Sequence, residues 1–408
     1  MTATLAASAA ILKTRYPNGE LPKELYQNNT FHGLIPKATD FDGNNRVVAI
    51  QTEYTQGASA DFATALGALQ QSKYSNFLVT RVEDFSLARI KGQALRAAQK
   101  DTGALVDLWE NEMKSANMSA TRSLAIMEHR DGTGTRGQIA SGSTTTTITL
   151  TSADSDPSTD VTNFAVGMSL QFSATAGSAL RSAGAKAVIT AIDRANATLT
   201  FGSALNVLLP DIGATDFIYR AGDENAVITG INGWIPGGSS PGTLFGLNRN
   251  TDPVRLAGQS YNATGVPMGD ALIEAAARVG VEGGMPDVVI AHPRDVANFK
   301  KTLDGKVQYN RVESDVAGVS FRSIEFEGDN GVIKVLSDMN RPKRNPVLLQ
   351  TSSWRLHSLG PAPGILDYDN NQFLRVASDD AYEVRVGSYV AQYCNEPAFQ
   401  IQLTNWGV

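Results

Sequence analysis

Cysteine is almost missing: Cys394 stands alone in 408 residues. A single thiol forms no intrachain disulfide and excludes a zinc site built from cysteines. Its plain reading is a small apolar side chain in a strand. A chain without bridges suits folding in a reducing cytoplasm. Positive charge is not in excess either. With 35 basic and 41 acidic residues the formal net charge is -6, whereas proteins that grip nucleic acid are usually basic. Nucleic acid is then a neighbour of this chain, not a ligand held by a broad basic face. No run approaches the ~20 apolar residues that span a bilayer, so no membrane partner is expected. Met1 to Ala10 carry no basic stretch before their Ala-rich run, so they do not read as a secretion signal.

Histidine is scarce as well. The four, at 32, 129, 292 and 357, are too scattered to suggest a cluster. The sequence holds no G-x-x-x-x-G-K-[ST], no H-E-x-x-H and no G-x-S-x-G. His292 lies where a strand ends and a helix begins, and reads as a residue near a helix start. Two acidic stretches invite a calcium reading: Asp154, Asp156 and Asp160, and Asp367, Asp369 and Asn371. Neither has the glycine at position six or the bidentate acid at position twelve of an EF-hand, so both read as solvated turns. The expectation is a chain with no catalytic residue, no metal and no cofactor.

What the chain does have is apolar content, 42% of its residues, enough for a sizeable core in two or three units. Residues 1–45 read as an arm, rich in Pro, Gly and polar residues, with Tyr16 and Phe31 among apolar side chains of no clean period. Such a segment forms no core alone but can lie along another surface or another subunit. Residues 46–91 read as a projecting hairpin. Arg46 to Tyr54 leads in and Asn76 to Ile90 leads out, around a long tip of small residues. Residues 92–128 carry the clearest helical signal: Leu95, Ala98, Thr102, Leu105, Trp109, Met113, Ala116, Ala120, Leu124 and Met127 form one stripe. A helix of that length would reach on the order of 50 Å, a beam rather than a piece of a compact enzyme.

Composition shifts after Gly137. Residues 138–223 are rich in Thr, Ser and Ala, with short strands expected at 144–150, 169–173, 187–192, 198–201 and 216–220. Asp193 to Asn196 would close a hairpin between two of them. Strands so spaced suggest a small β-barrel or sandwich inserted into the rest. A Gly- and Pro-rich passage follows to residue 265. Gly269 to Val279 then reads as a helix, Pro286 to Ala291 as a buried strand, and Pro293 as the first turn of a helix through Leu303. That alternation implies an α/β unit. Asp380 to Tyr393 reads as a half-buried strand, with Tyr382, Val384 and Val386 inward and Glu383 and Arg385 outward. The whole is α+β.

This order of parts resembles the major capsid protein of tailed bacteriophages, a fold shared with encapsulins and the floor of herpesvirus capsids. Local phrases carry the likeness: Phe77-Leu-Val-Thr80, Gly103-Ala-Leu-Val-Asp107, Asp131-Gly-Thr-Gly134, Gly230-Ile-Asn-Gly-Trp-Ile-Pro236, Gly242 to Thr251, and Pro286 to Pro293. The resemblance covers nearly the whole chain. It implies an N-terminal arm (1–45), an extended hairpin (46–91), a peripheral unit with a spine helix (92–137), an inserted β-barrel (138–223), an axial unit (224–360) and a return to the peripheral sheet (361–408).

The function it implies is self-assembly into pentamers and hexamers of an icosahedral head enclosing double-stranded DNA. Phe62, Leu66, Leu69, Lys73, Tyr74, Tyr16 and Phe31 are then candidate contacts between subunits. Scaffolding and portal proteins, and decoration proteins, are implied partners. The scaffold would be separate, or a segment removed beforehand, because no long helical N-terminal segment is present. Some family members cross-link neighbours through a lysine and an asparagine. Lys73, the lysine beside the hairpin's long tip, would be the donor, but no asparagine or acid is placed by motif. Other readings are an encapsulin-like compartment, or a phage adhesin whose barrel binds sugar, although sugar sites usually stack aromatics and the insert has only Phe164, Phe172, Phe201, Phe217 and Tyr219.

Overall fold

The computed structural model describes residues 29–93, 108–152, 157–238, 240–303, 324–328, 331–367 and 374–408. Tyr16, the first half of the helical stripe (Leu95 to Leu105), Asp154, Asp156, Asp369 and Asn371 lie outside them. The described chain opens with a short helix α1 (Thr30–Leu34), then β1 (Lys37–Ala38), β2 (Asn45–Glu53), α2 (Phe62–Gly67), β3 (Lys73–Thr80), β4 (Val82–Lys91) and α3 (Leu108–Met127). β2 and β3 form an antiparallel hairpin. The outgoing stretch expected as one strand is two. It breaks at Arg81, whose amide bonds to Asn44 O, and β4 leaves the hairpin for another sheet.

In α3 the stripe is confirmed where it is described: Ala116, Ala120, Leu124 and Met127 are buried. From Ser123 to His129 every side chain is buried, because the helix end is enclosed on all sides. The 20 residues of α3 span about 30 Å.

Beyond α3 six strands close into a barrel: β5 (Thr135–Ser141), β6 (Thr147–Leu150), β7 (Ser169–Ser173), β8 (Ala187–Asp193), β9 (Thr198–Phe201) and β10 (Phe217–Arg220), in the order β10-β5-β6-β9-β8-β7. In β6 and β9 apolar residues alternate inward with outward threonines, the period of a half-buried strand. The β8–β9 turn is closed by the Asp193 carboxylate, which accepts from the Ala195 amide at 2.9 Å and the Asn196 side chain at 2.7 Å. β5 starts at Thr135, before the composition changes. Its Arg136 and Gly137 gave no strand pattern, because Arg136 is buried by an ion pair rather than by apolarity.

The chain then forms a small hairpin, β11 (Thr243–Leu244) and β12 (Leu247–Asn248), and a mixed α/β layer. This holds β13 (Gln259–Asn262), α4 (Met268–Val281), β14 (Val288–Ala291), α5 (Pro293–Thr302), β15 (Ile324–Gly328), β16 (Gly331–Ser337) and β17 (Val347–Leu349). β18 (Trp354–Ser358), β19 (Gly364–Ile365), β20 (Leu374–Arg375) and β21 (Ala381–Cys394) belong to another sheet, and β22 (Ile401–Thr404) returns to the layer. One six-stranded sheet runs β13-β22-β17-β14-β16-β15. β14 explains its fully apolar sequence: Val289 and Ala291 face α4 and α5, while Val288 and Ile290 face a second core. A strand covered on both sides has no polar face to show.

The other six-stranded sheet is organised by β21. Over ten pairs it runs antiparallel to β4, and its end pairs β18, which in turn pairs β1 in parallel. The expected alternation in β21 is inverted at two positions: Tyr382 is exposed and Glu383 is buried. Arg89 and Arg385 both reach the Glu383 carboxylate, so a charge takes the protected place that a hydrophobic reading gives to tyrosine. The two sheets, α3 and the base of the hairpin share one core with Trp234 and Trp354.

Candidate assembly surface

Paired residues of an antiparallel ladder lie on the same face. On the inner face of the β2–β3 hairpin, Val48 opposes Phe77, and Val79 opposes Arg46. Phe77 stands edge-on to Trp234 at 5.0 Å, and the Leu78 amide bonds to Phe245 O between β11 and β12 at 3.1 Å. The base of the hairpin is therefore seated on its own body. The outer face is not. Val47 and Leu78 oppose each other there, followed by Gln51 and Tyr74, and Val47, Leu78 and Tyr74 are exposed.

Toward the tip, Tyr54 is covered on one side by the Arg255 guanidinium, 4.1 Å from the ring centroid. Gln56 and Gln70 then exchange backbone hydrogen bonds at 3.1 and 3.0 Å. Asp61 caps α2: its carboxylate accepts from the Thr64 amide and hydroxyl, both at 2.9 Å. Those bonds hold the Asp61 carboxyl below its usual range. The cap and the strand pairing fix the tip locally, yet no residue of α2 is buried. Phe62, Leu66 and Leu69 lie at helical spacing with exposures of 80%, 61% and 61%. A fixed helical turn showing a continuous apolar stripe to solvent is the feature a partner surface would cover.

The structure places the other candidates differently. Lys73 is beside Tyr74 at the top of β3, with its ammonium 2.8 Å from the Glu53 carboxylate. Phe31 is not on the surface at all. It is fully buried, edge-on to Trp354 at 5.7 Å and 5.2 Å from the His129 ring. Residues 29–41 thus fill their own chain's core instead of reaching outward, since Ile35 and Phe41 are buried with Phe31.

Sequence reasoning missed a second exposed apolar row, Phe85 and Leu87 on β4. Its signal is an inverted alternation, in which small Ser86 and Ala88 lie between large Phe85 and Leu87. The small residue faces the helix, where Ala88 packs with Ala116, Ala120 and Val386, and the large ones point away.

The barrel is tied to the body by charge. Arg220 reaches Asp84 on β4 at 2.6 Å and Asp223 at 2.7 Å, and Arg136 reaches Asp223 at 3.1 Å. Burial pushes the Arg136 guanidinium down to about 10 despite Asp223. Of the barrel aromatics weighed as a sugar platform, Phe164, Phe172, Phe201 and Tyr219 are core residues. The Tyr219 hydroxyl is bonded to Ser173 and to the Gly177 amide, both at 2.9 Å. Only Phe217 is partly exposed, so the rings do not form a stacking surface.

One arrangement looks catalytic on paper: Asp40, His357 and Tyr393 form a hydrogen-bonded chain. Burial pushes the Tyr393 phenol up, away from a nucleophilic phenolate. His292 caps α5, accepting from the Arg294 amide at 3.2 Å, as its place in the sequence implied. Among the described residues no group of three or more His, Cys, Asp or Glu could hold a metal ion. No helix of the described residues is long and apolar enough to cross a membrane.

Comparison with known proteins adds the architecture. No sequence-family description and no curated protein sequence matches the chain. Solved structures do, over almost their whole length. The capsid of cyanophage A-1(L) matches with a TM-score of 0.54 at 10% identity, covering 97% of this chain and 98% of that one. The capsid of an empty gene transfer agent particle matches at 0.51 and 9% identity, over 99% and 98%. The SrpI encapsulin of Synechococcus elongatus matches at 0.51 and 10%, over 98% and 95%. The chain has the fold of tailed-phage major capsid proteins and encapsulins.

Proposed function

We propose that the chain is a major capsid subunit of a tailed phage, many copies of which join as pentamers and hexamers into an icosahedral head around double-stranded DNA. The supporting observation is the conjunction of a shell-protein fold over nearly the whole chain with a capped, uncovered apolar stripe at the hairpin tip. In this reading Phe62, Leu66, Leu69 and Tyr74 are covered by a neighbouring subunit. Residues 1–45 are an arm whose 29–41 stretch is seated in the body, 46–91 the extended hairpin with β4 running on into the sheet, 92–137 the peripheral unit with the spine helix, 138–223 an inserted barrel, 224–360 the axial unit and 361–408 the return to the sheet. The role is structural, not enzymatic. The particle is assembled in the host cytoplasm with scaffolding, portal and decoration proteins. With a net charge of -6, DNA is a non-specific neighbour, which favours packaging and release.

Electron microscopy and sedimentation of the purified chain, alone and with phage partners, test this. Closed shells or capsomers are expected. A compact monomer under all conditions overturns it. The encapsulin likeness favours a second reading, a compartment around cargo protein. DNA-filled particles with a portal support the phage head, and empty shells around an enzyme support the compartment.

A further inference from the structure

The barrel and the body meet over a cleft of about 440 Å³. Three stretches of chain line it. Arg130 comes from just beyond α3, Arg136 from β5 at the foot of the barrel, and Arg341 and Lys343 from the loop between β16 and β17. Against these four cations the described lining holds one carboxylate, Asp160.

Two of the four are matched. The Arg136 guanidinium pairs with Asp223 at 3.1 Å, and the Lys343 ammonium with Asp160 at 3.1 Å and the Ser152 hydroxyl at 3.2 Å. The other two are not. Arg341 is fully buried. It donates through Nε to Asn345 O at 2.6 Å and through Nη1 to the Asn232 side chain at 2.9 Å, both neutral acceptors, and its Nη2 has no partner. Arg130 makes no side-chain hydrogen bond or ion pair among the described residues, and its buried Nε is unmatched. The Nε of Arg136 is a third buried N–H without an acceptor. Asp131 and Asp160 act on Arg130 through space, and Asp338 and Asp295 on Arg341, but none of them closes to an ion pair with either.

Burial removes the water that serves such donors in solution, so a buried guanidinium without an acceptor is a costly end state. A water molecule in the cleft accepts single bonds and leaves the charge uncompensated. Burial, then the neighbouring Arg130, pushes the Arg341 guanidinium down to about 9 against the pull of Asp338 and Asp295. It is still cationic at neutral pH. Two guanidinium groups that repel each other across one cleft call for an acceptor with negative charge and several oxygens.

We propose that the cleft binds a small oxyanion of the phosphate class, held between Arg130 and Arg341 and braced by the Nε of Arg136. A guanidinium presents a planar fork of N–H donors that matches two oxygens of such an ion. The donors come from the helix end, the barrel and the α/β layer, so the ion ties the barrel to the body. Arg136 and Arg341 lie beneath the surface, where a free ion reaches them and the phosphates of a rigid duplex do not.

Isothermal titration calorimetry of the full chain with inorganic phosphate, at fixed pH and ionic strength, tests the site. Saturable binding is expected. Arg130→Gln removes a side chain that holds no bond in the fold, so it should melt normally and bind phosphate at least tenfold more weakly. Arg130→Lys keeps the charge without the fork and should fall between the two. Arg194→Gln, at an exposed arginine of the β8–β9 turn, should bind like the parent. Absence of saturable binding overturns the proposal, and so does equal affinity in the parent and Arg130→Gln. Duplex DNA at the same phosphate concentration should show no binding that depends on Arg130. Such binding to duplex, without binding of free phosphate, overturns the assignment to a small ion.

Discussion

Ile231 donates its amide hydrogen to the Glu128 carbonyl at 2.8 Å, so the chain rejoins the body beside the point where it left to build the barrel. The Asn225 amide and the Thr133 carbonyl, 3.0 Å apart, repeat the closure one step outward. Ends that already touch need little linker. Joining Thr133 to Asn225 through two or three glycines should therefore leave the remaining sheets folded. The ion pairs Arg220–Asp84 and Lys343–Asp160 are lost with the barrel, so a lower melting temperature is expected. Circular dichroism and microscopy of the shortened chain check this. Aggregation with no recoverable fold would show that the barrel is integral.

That same closure demands a glycine. A Cβ placed on Gly230 would lie 2.2 Å from Glu128 O and 2.4 Å from Met127 O. These are backbone atoms of a buried helix end and cannot swing aside. Gly230→Ala should cost at least about 2 kcal/mol, the scale of overpacking in a tight core. Gly33→Ala is the control. It sits in α1 with no atom within 4 Å of the added carbon, so its effect should stay within about 0.5 kcal/mol. Urea unfolding of the two variants separates them.

Much of the architecture could be read from the sequence because it was locally written. The strand at Ser169–Ser173, the helix opened by Pro293 and the apolar run of β14 match their signals. Period and punctuation do not depend on distant residues. Coverage does. Phe31 and Phe62 are each one aromatic in a poorly periodic stretch. Their difference comes from Asp338, which receives the Phe31 amide from 307 residues away, and from Trp354, which packs on its ring. Glu383 was assigned to solvent because its burial is made tolerable by Arg385 together with Arg89, which lies on another strand. Phe62, Leu66 and Leu69 were legible as exposed apolar residues of the hairpin, but the helix α2 that aligns them was not, because its Asp61 cap lies in a stretch of small residues with no clear period.

Those two phenylalanines give opposite expectations. Phe31→Ala should cost about 3–5 kcal/mol of folding stability, since it empties a fully buried aromatic site. Phe62→Glu, at 80% exposure, should leave stability within about 0.5 kcal/mol while placing a charge on the stripe shared with Leu66 and Leu69. Shell formation should then fail or shift to much higher protein concentration, read by sedimentation velocity of a chain that still melts normally. If Phe62→Glu together with Leu66→Glu assembles like the parent, the stripe is not an interface.

Lys73 gives the last expectation. The family resemblance makes it the donor for an isopeptide bond between subunits, and the hairpin does carry it outward near the tip. Its ammonium, however, is engaged by Glu53 at 2.8 Å across the strand pair, and no carboxylate other than Glu53 is paired with it among the described residues. Condensation with an asparagine needs a free amine and an acid that moves the proton. An ammonium already engaged by its strand neighbour is poorly prepared for either. Assembled particles boiled in denaturant should therefore run as a single monomer band, and Lys73→Arg should assemble like the parent. A ladder of covalent oligomers that disappears in Lys73→Arg would show that a neighbouring subunit displaces Glu53 and supplies the missing groups.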